Sequence, residues 1–410
     1  MISIADLMNS IDGYEADIRS DVVALCSIPG VNPKMNGDGE YQRFQWLSAR
    51  LEDMDIPYKL YGIADKSVNE GIRQNLVVKL KGEESTDRTL WFIAHMDTVN
   101  TGDLTSWRTN PFEATVDGDR IYGLGVEDNG QAIIAMLYLI KLMRDKRLRT
   151  KTNIGFMFVS DEETGSDFGI KHLLSLGLVG ESDEAVVPDG GSPIGDFIEI
   201  AEKSQLWIKF TILGKQVHAS MPQLGLNACS IGMHLGVEIE DSLKRVFSMR
   251  DEIFNPPIST IELTQKFSNV DSPNILPGKD EFVMDLRILP SYSVSTVEEE
   301  INRIIEKYLA KHPGIEISYN FISKVEAPSA TDPESKVVKT LVRAIEKVGI
   351  EAHYGGIGGG TCAAILRKEN IPAVVWSKLD ELAHQSNEYV IIPNLINDIK
   401  VFTHMILEYD

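Results

Sequence analysis

The sequence predicts an α/β protein: a mostly parallel sheet with helices on both faces, interrupted by an inserted α+β domain. Three observations carry this expectation. Short, almost wholly apolar runs recur along the chain, amphipathic helical stretches separate them, and a middle stretch changes to alternating apolar and polar residues. At 410 residues the chain also exceeds the roughly 250–300 residues that one core usually serves, so two domains are expected.

The apolar runs are residues 76–80, 90–94, 154–159, 185–187 and 373–376. A strand covered on both faces has no polar side, so each is expected to be a buried parallel strand. Residues 131–143 and 336–348 between them carry apolar positions at helical spacing, and strand alternating with helix is the pattern of a covered parallel sheet.

The character changes at residues 204–213 (SQLWIKFTIL) and 281–289 (EFVMDLRIL), which alternate as half-buried antiparallel strands do. Helical patterns follow at about 227–246 and 297–311, with a strand near 315–322. An inserted α+β domain is therefore expected over residues 204–324, with 1–203 and 325–410 forming the domain that carries the chemistry.

Composition narrows the function. With 43% hydrophobic and 25% charged residues the chain is an ordinary globular protein, and its net charge of −21 repels phosphate backbones, which argues against nucleic acid as a partner. Cys26, Cys229 and Cys362 form no C-x-x-C pair and are odd in number, as in a reducing cytoplasm. The N-terminal stretch lacks the basic start and apolar core of a secretion signal, and no apolar run approaches the ~20 residues of a membrane span. A cytoplasmic protein without membrane partners is expected.

The residues after each apolar run are the informative ones. Run 90–94 leads into His95-Met96-Asp97, run 154–159 into Asp161-Glu162-Glu163, run 185–187 into Pro188-Asp189, and run 373–376, after a loop, into Ala383-His384-Gln385. Ligands of open parallel sheets bind beyond the carboxyl ends of the strands, so these groups are expected at one edge. A Gly-rich turn, residues 122–130, adds Asp128 ahead of the helix at Gln131. Alone it would be a helix cap; beside the other four it becomes a candidate ligand.

His95, Asp128, Glu163, Asp189 and His384 suit zinc, which takes imidazole and carboxylate in near-tetrahedral sets. If one carboxylate and one water bridge two ions, each gains about four ligands, and a bridging hydroxide becomes available near neutral pH. Cobalt or manganese would fit the same donors. Asp97, two residues beyond His95, is placed on an extended segment to orient the imidazole, or is a turn residue. Glu162 beside Glu163 is needed by no metal, which suits a general base, or it is a solvated loop acid. Gly359, Gly360 and Thr361 open a helix that could hold a substrate carboxylate on backbone amides, or form a tight turn. The role of His218 is left open by spacing alone.

The segments His95–Asp97, Gly125–Gly130, Asp161–Gly165, Pro188–Gly190, Gly214–Ser220, Asn274–Arg287 and His384–Glu388 appear together and in order. In this the chain resembles the co-catalytic zinc hydrolases that include aminoacylase, carboxypeptidase G, acetylornithine deacetylase and succinyl-diaminopimelate desuccinylase, and in particular archaeal-type desuccinylase-like members. The resemblance implies that Asp128 bridges two zinc ions, with His95 and Asp189 on one and Glu163 and His384 on the other. It implies Glu162 as base and Asp97 as support for a metal ligand. It also implies an inserted lid that forms a homodimer, with His218, Asn274 and Arg287 contacting a small peptide or N-acyl amino acid. Where many relatives have Thr-Asp, this chain has Thr361-Cys362, which bears on substrate more than on chemistry. The expected activity is amide-bond hydrolysis; a metal-containing dimeric binding or scaffold protein, or a mononuclear hydrolase, are the alternatives.

Overall fold

Strands whose every residue is apolar must be covered on both sides, and they lie at the centre of the larger sheet. In a computed structural model describing residues 2–84 and 87–409, this sheet has eight strands among the described residues. Its order is Lys59–Ala64, Ile72–Leu80, Asn153–Val159, Thr89–His95, Glu184–Ser192, Ala373–Lys378, Phe197–Glu202 and His353–Ile357. The four strands from Asn153–Val159 to Ala373–Lys378 are mutually parallel. Their carboxyl ends therefore share one edge.

One expected parallel strand differs. The run 76–80 lies in Ile72–Leu80, which pairs antiparallel with both neighbours. It returns from Lys59–Ala64 through a short connection, and a hairpin reverses chain direction whatever the apolar content of its strands.

Alternate side chains of the central strands feed two cores. Trp91 and Ile93 pack with Met157, Val159 and Val187 under helix Cys362–Lys368. Phe92 faces the other way, stacking on Phe156 (ring centroids 5.5 Å apart) and meeting the edge of Phe402 at 5.1 Å, on helix Ile392–Glu408. Each such fully buried ring contributes about 1.5–3 kcal/mol relative to exposure. The Trp91 indole crosses Gly155 so closely that a β-carbon there would lie 2.1 Å from it, which explains a glycine in mid-strand. Helix Gly130–Asp145 is buried along nearly its whole length.

The chain divides into two units, Met1–Ile200 with Ala330–Gly355 and Thr361–Asp410, and Ala201–Ser329 with Gly356–Gly360. The second unit has a four-stranded antiparallel sheet in the order Thr260–Lys266, Lys279–Ile288, Ser204–Leu213, Glu316–Val325. Leu206, Ile208, Phe210 and Ile212 form its buried stripe, and helices Ala228–Val246 and Val294–Lys311 cover that face. Asn227 and Ser293 cap these helices by accepting the Ser230 and Thr296 backbone N–H groups. The segment Gly356–Gly360 joins this unit: the Ile357 carbonyl accepts the Lys203 N–H at 3.0 Å, and Arg287 donates to the Gly358 carbonyl at 2.7 Å.

Candidate metal centre

The parallel strands set out the donors. His95 ends its strand, Glu162 and Glu163 form the turn after Asn153–Val159, and Asp189 lies within Glu184–Ser192. Asp128 precedes helix Gly130–Asp145, and His384 lies in the loop beyond Ala373–Lys378. The structure brings all of them together. His95 Nε2 is 2.9 Å from Asp128 Oδ1 and 3.5 Å from Asp189 Oδ1. His384 Nε2 is 3.0 Å from Glu163 Oε2 and 3.4 Å from Asp128 Oδ2. Asp128 thus turns one oxygen to each imidazole.

The donor chemistry fits a cation. Donors about 2.0–2.2 Å from one tetrahedral zinc stand roughly 3.3–3.5 Å apart, close to the separations seen here. Four carboxylates crowd one partly buried place, and two three-donor groups can be drawn: His95, Asp128 and Glu163, and His95, Glu162 and Asp189. Burial, then the neighbouring Asp128, pushes Glu163 up to about 7. Burial likewise raises Asp189, and raises Glu162 well above the usual carboxylate range. Burial disfavours charge on His95, but Asp189 and Asp128 outweigh it and hold the imidazole well above its ordinary value. Hydrogen bonds to Asp128 and Glu163 push His384 up to about 10. Burial opposes ionisation of Asp128, and His384 and His95 outweigh it, so its pKa is lowered. So much negative charge out of water calls for positive charge beyond two imidazoles.

Asp97 is buried beneath the site but does not orient His95 with its carboxylate. His95 Nδ1 meets the Asp97 backbone carbonyl at 2.9 Å, and the carboxylate is 3.7 Å away. The strand ends at His95, so the rule that residues two apart share a face lapses there. The carboxylate instead accepts the backbone N–H groups of Glu162 (3.0 Å) and Glu163 (3.2 Å), and so holds the acidic turn. The Nδ1–H bond to a carbonyl turns the Nε2 lone pair toward the donor cluster.

Three supporting residues carried no assigned role in the sequence. Asn129 donates to Asp189 Oδ1 at 2.6 Å and accepts the His95 N–H at 3.3 Å. Asn32 donates to both Asp97 (2.8 Å) and Asp161 (3.1 Å). Glu388, which burial pushes up to about 8, accepts backbone N–H groups of the Asp128 loop. Asn129 and Glu388 lie inside segments that carry the resemblance, Gly125–Gly130 and His384–Glu388, a signal that could have found them; Asn32, far away in sequence, had none.

The remaining expected residues have surroundings of their own. In the second unit His218 pairs opposite Ile275, beside Asn274, whose carbonyl accepts the Ala219 N–H at 2.8 Å. Arg287 there binds Asp285 (2.7 Å), Gln205 (2.9 Å) and the carbonyl at the head of the Gly359-Gly360 loop. Thr361, in the first unit, caps helix Cys362–Lys368 by accepting the Ala363 N–H at 3.1 Å.

Residues 91–408 match the sequence profile described as peptidase family M20/M25/M40. The chain belongs to this family. As an M20 member it is an amide-bond hydrolase with a candidate metal-binding cluster. A metallohydrolase of Methanocaldococcus jannaschii is 38% identical over 404 residues, 94% of this chain and 97% of that protein. A succinyl-diaminopimelate desuccinylase of Sulfurovum is 26% identical over 82% of this chain and 87% of its own. Among solved structures, aminopeptidase PepT from Bacillus cereus shares the fold with a TM-score of 0.75 at 18% identity, covering 96% of this chain and 98% of that one.

Proposed function

We propose that this M20 protein is a two-zinc exopeptidase or N-acyl-amino-acid deacylase. The observation that carries the reading is Asp128, whose two oxygens face His95 on one side and His384 on the other. His95 and Asp189 would complete one cation position, Glu163 and His384 the other, with cobalt or manganese as substitutes for zinc. Bound ions would supply Lewis acidity, polarising the scissile carbonyl and making water more acidic.

The chain's own residues do the rest. Glu162, on the turn after strand Asn153–Val159 and outside the Asp128 bridge, takes a proton from the water that attacks the carbonyl carbon and passes it to the amine nitrogen as the C–N bond breaks. Asp97 keeps that base in place through the turn's backbone. His218 is proposed as a donor to the carbonyl oxygen, supplied by a second copy in a homodimer. Ser220 engages His218 Nδ1 twice, with its hydroxyl oxygen at 2.7 Å and its backbone N–H donating at 3.2 Å, which leaves Nε2 as the ring nitrogen proposed to face the carbonyl. Asn274, Arg287 and the Gly359-Gly360-Thr361 segment are proposed to hold the rest of the substrate. No described helix is long and apolar enough to cross a membrane, and the unpaired cysteines support a cytoplasmic setting.

A panel of dipeptides, tripeptides and N-acyl amino acids, N-succinyl compounds included, tests this reading on metal-free, zinc-loaded and cobalt-loaded protein. Amine release that needs metal is expected; silence across the panel in every metal form would sink it. His218→Ala should lower turnover about 10²-fold with metal content unchanged, the scale of a lost oxyanion donor. Mixing His218→Ala with Glu162→Gln protein should recover activity, because one site of the heterodimer then carries neither defect. A mixture that exchanges subunits and stays inactive rules out action across an interface.

A further inference from the structure

Two loops deliver Asp128 and His384, and each grips the other through a carboxylate. Glu388 accepts the backbone N–H groups of Gly125 (2.8 Å), Glu127 (2.7 Å) and Asp128 (3.0 Å). In return Glu127 accepts the backbone N–H groups of Asp380 (2.8 Å) and Leu382. Strand pairing extends the contact, with Tyr389 opposite Tyr122 and the Gly123 N–H on the Glu388 carbonyl at 3.1 Å. Both carboxylates are buried, and both are spent on backbone rather than on the donor cluster.

The need for such a clasp differs among the donors. His95 and Asp189 sit on sheet strands, and the Glu163 turn is held by Asp97. His384 sits in a loop at φ 63°, with its side chain 58% exposed. A loop residue holds a ligand position only as well as its anchors do. We propose that Glu127 and Glu388 are positioning residues that set the Asp128–His384 separation, and with it the affinity of the cation position formed by Asp128, Glu163 and His384. This rests on the two-ion reading above.

The test is titration of metal-free protein with Co²⁺, followed by calorimetry and visible absorption, in wild type, Glu127→Gln and Glu388→Gln. Glutamine keeps the size but turns an NH₂ toward a backbone N–H, so one grip fails. Wild type should take two equivalents. Glu127→Gln should bind the first with unchanged affinity and spectrum, and the second about 10–100-fold more weakly, the range seen when a ligand loses its outer partner. Glu388→Gln should show the same loss at the second equivalent and a smaller one at the first, because it grips the backbone of Asp128, which both positions share. The double variant should add little, because opening either grip frees the loop. Circular dichroism reports the fold, and if one variant unfolds the other decides. Two equivalents at wild-type affinity in a folded variant overturn the proposal. Equal weakening of both equivalents, or loss of the fold in both variants, assigns a general structural role and overturns it too. A wild type that binds fewer than two equivalents marks failure of the two-ion reading itself.

Discussion

Glu162→Gln is expected to keep the two proposed metal ions and lose turnover by roughly 10²–10⁴-fold or more, the scale of a missing general base. The substitution is nearly isosteric, and the Asp97 carboxylate holds residue 162 by its backbone N–H, so the turn survives the change. What disappears is a group able to take a proton and return it. The loss should fall on kcat with KM little changed, because proton transfer belongs to the transition state. Metal analysis makes the prediction sharp. Glu162 also lies within ligand reach of His95 and Asp189, so the structure holds a rival arrangement in which Glu162 is itself a ligand. A Glu162→Gln protein that loses an ion would establish that arrangement and reassign the base.

Asp128→Ala is expected to lower bound metal toward one ion or none after dialysis, with activity lost in proportion. Each proposed position draws on about three protein ligands, and Asp128 is the one they share, so a single truncation removes a donor from both. Neither imidazole would retain its Asp128 partner, and each would lose a contribution that raises its pKa. Zinc determination on the purified variant checks this. Two ions still held tightly would show Asp128 to be a helix-entry residue and would remove the bridge from the proposed chemistry.

The central strands were legible in the sequence because burial on both faces leaves no polar position: 90–94, 154–159, 185–187 and 373–376 all fall in the parallel core. The alternating strands around 204–213 and 281–289 were legible for the opposite reason, one face being wet. Direction was not. Residues 76–80 are as apolar as their neighbours yet run antiparallel, since pairing depends on where the chain comes from and not on side-chain composition.

For the site, residue types following apolar runs were enough to nominate His95, Glu163, Asp189 and His384, because a parallel sheet sends the ends of its strands to one edge, and their company promoted Asp128 from a helix cap in a Gly-rich turn to a candidate ligand. The sequence alone thus named side chains that the folded chain brings close together. Tertiary structure decided how they are held. Asp97 grips the acidic turn instead of the imidazole, because the strand ends one residue after Ala94. Glu388 and Glu127 tie two loops some 260 residues apart in the chain, and Asn32 joins Asp97 to Asp161 from a distant segment. Such bonds go largely to backbone N–H groups, which every residue but proline carries, so no pattern of side chains announces them and only the folded geometry selects the partner.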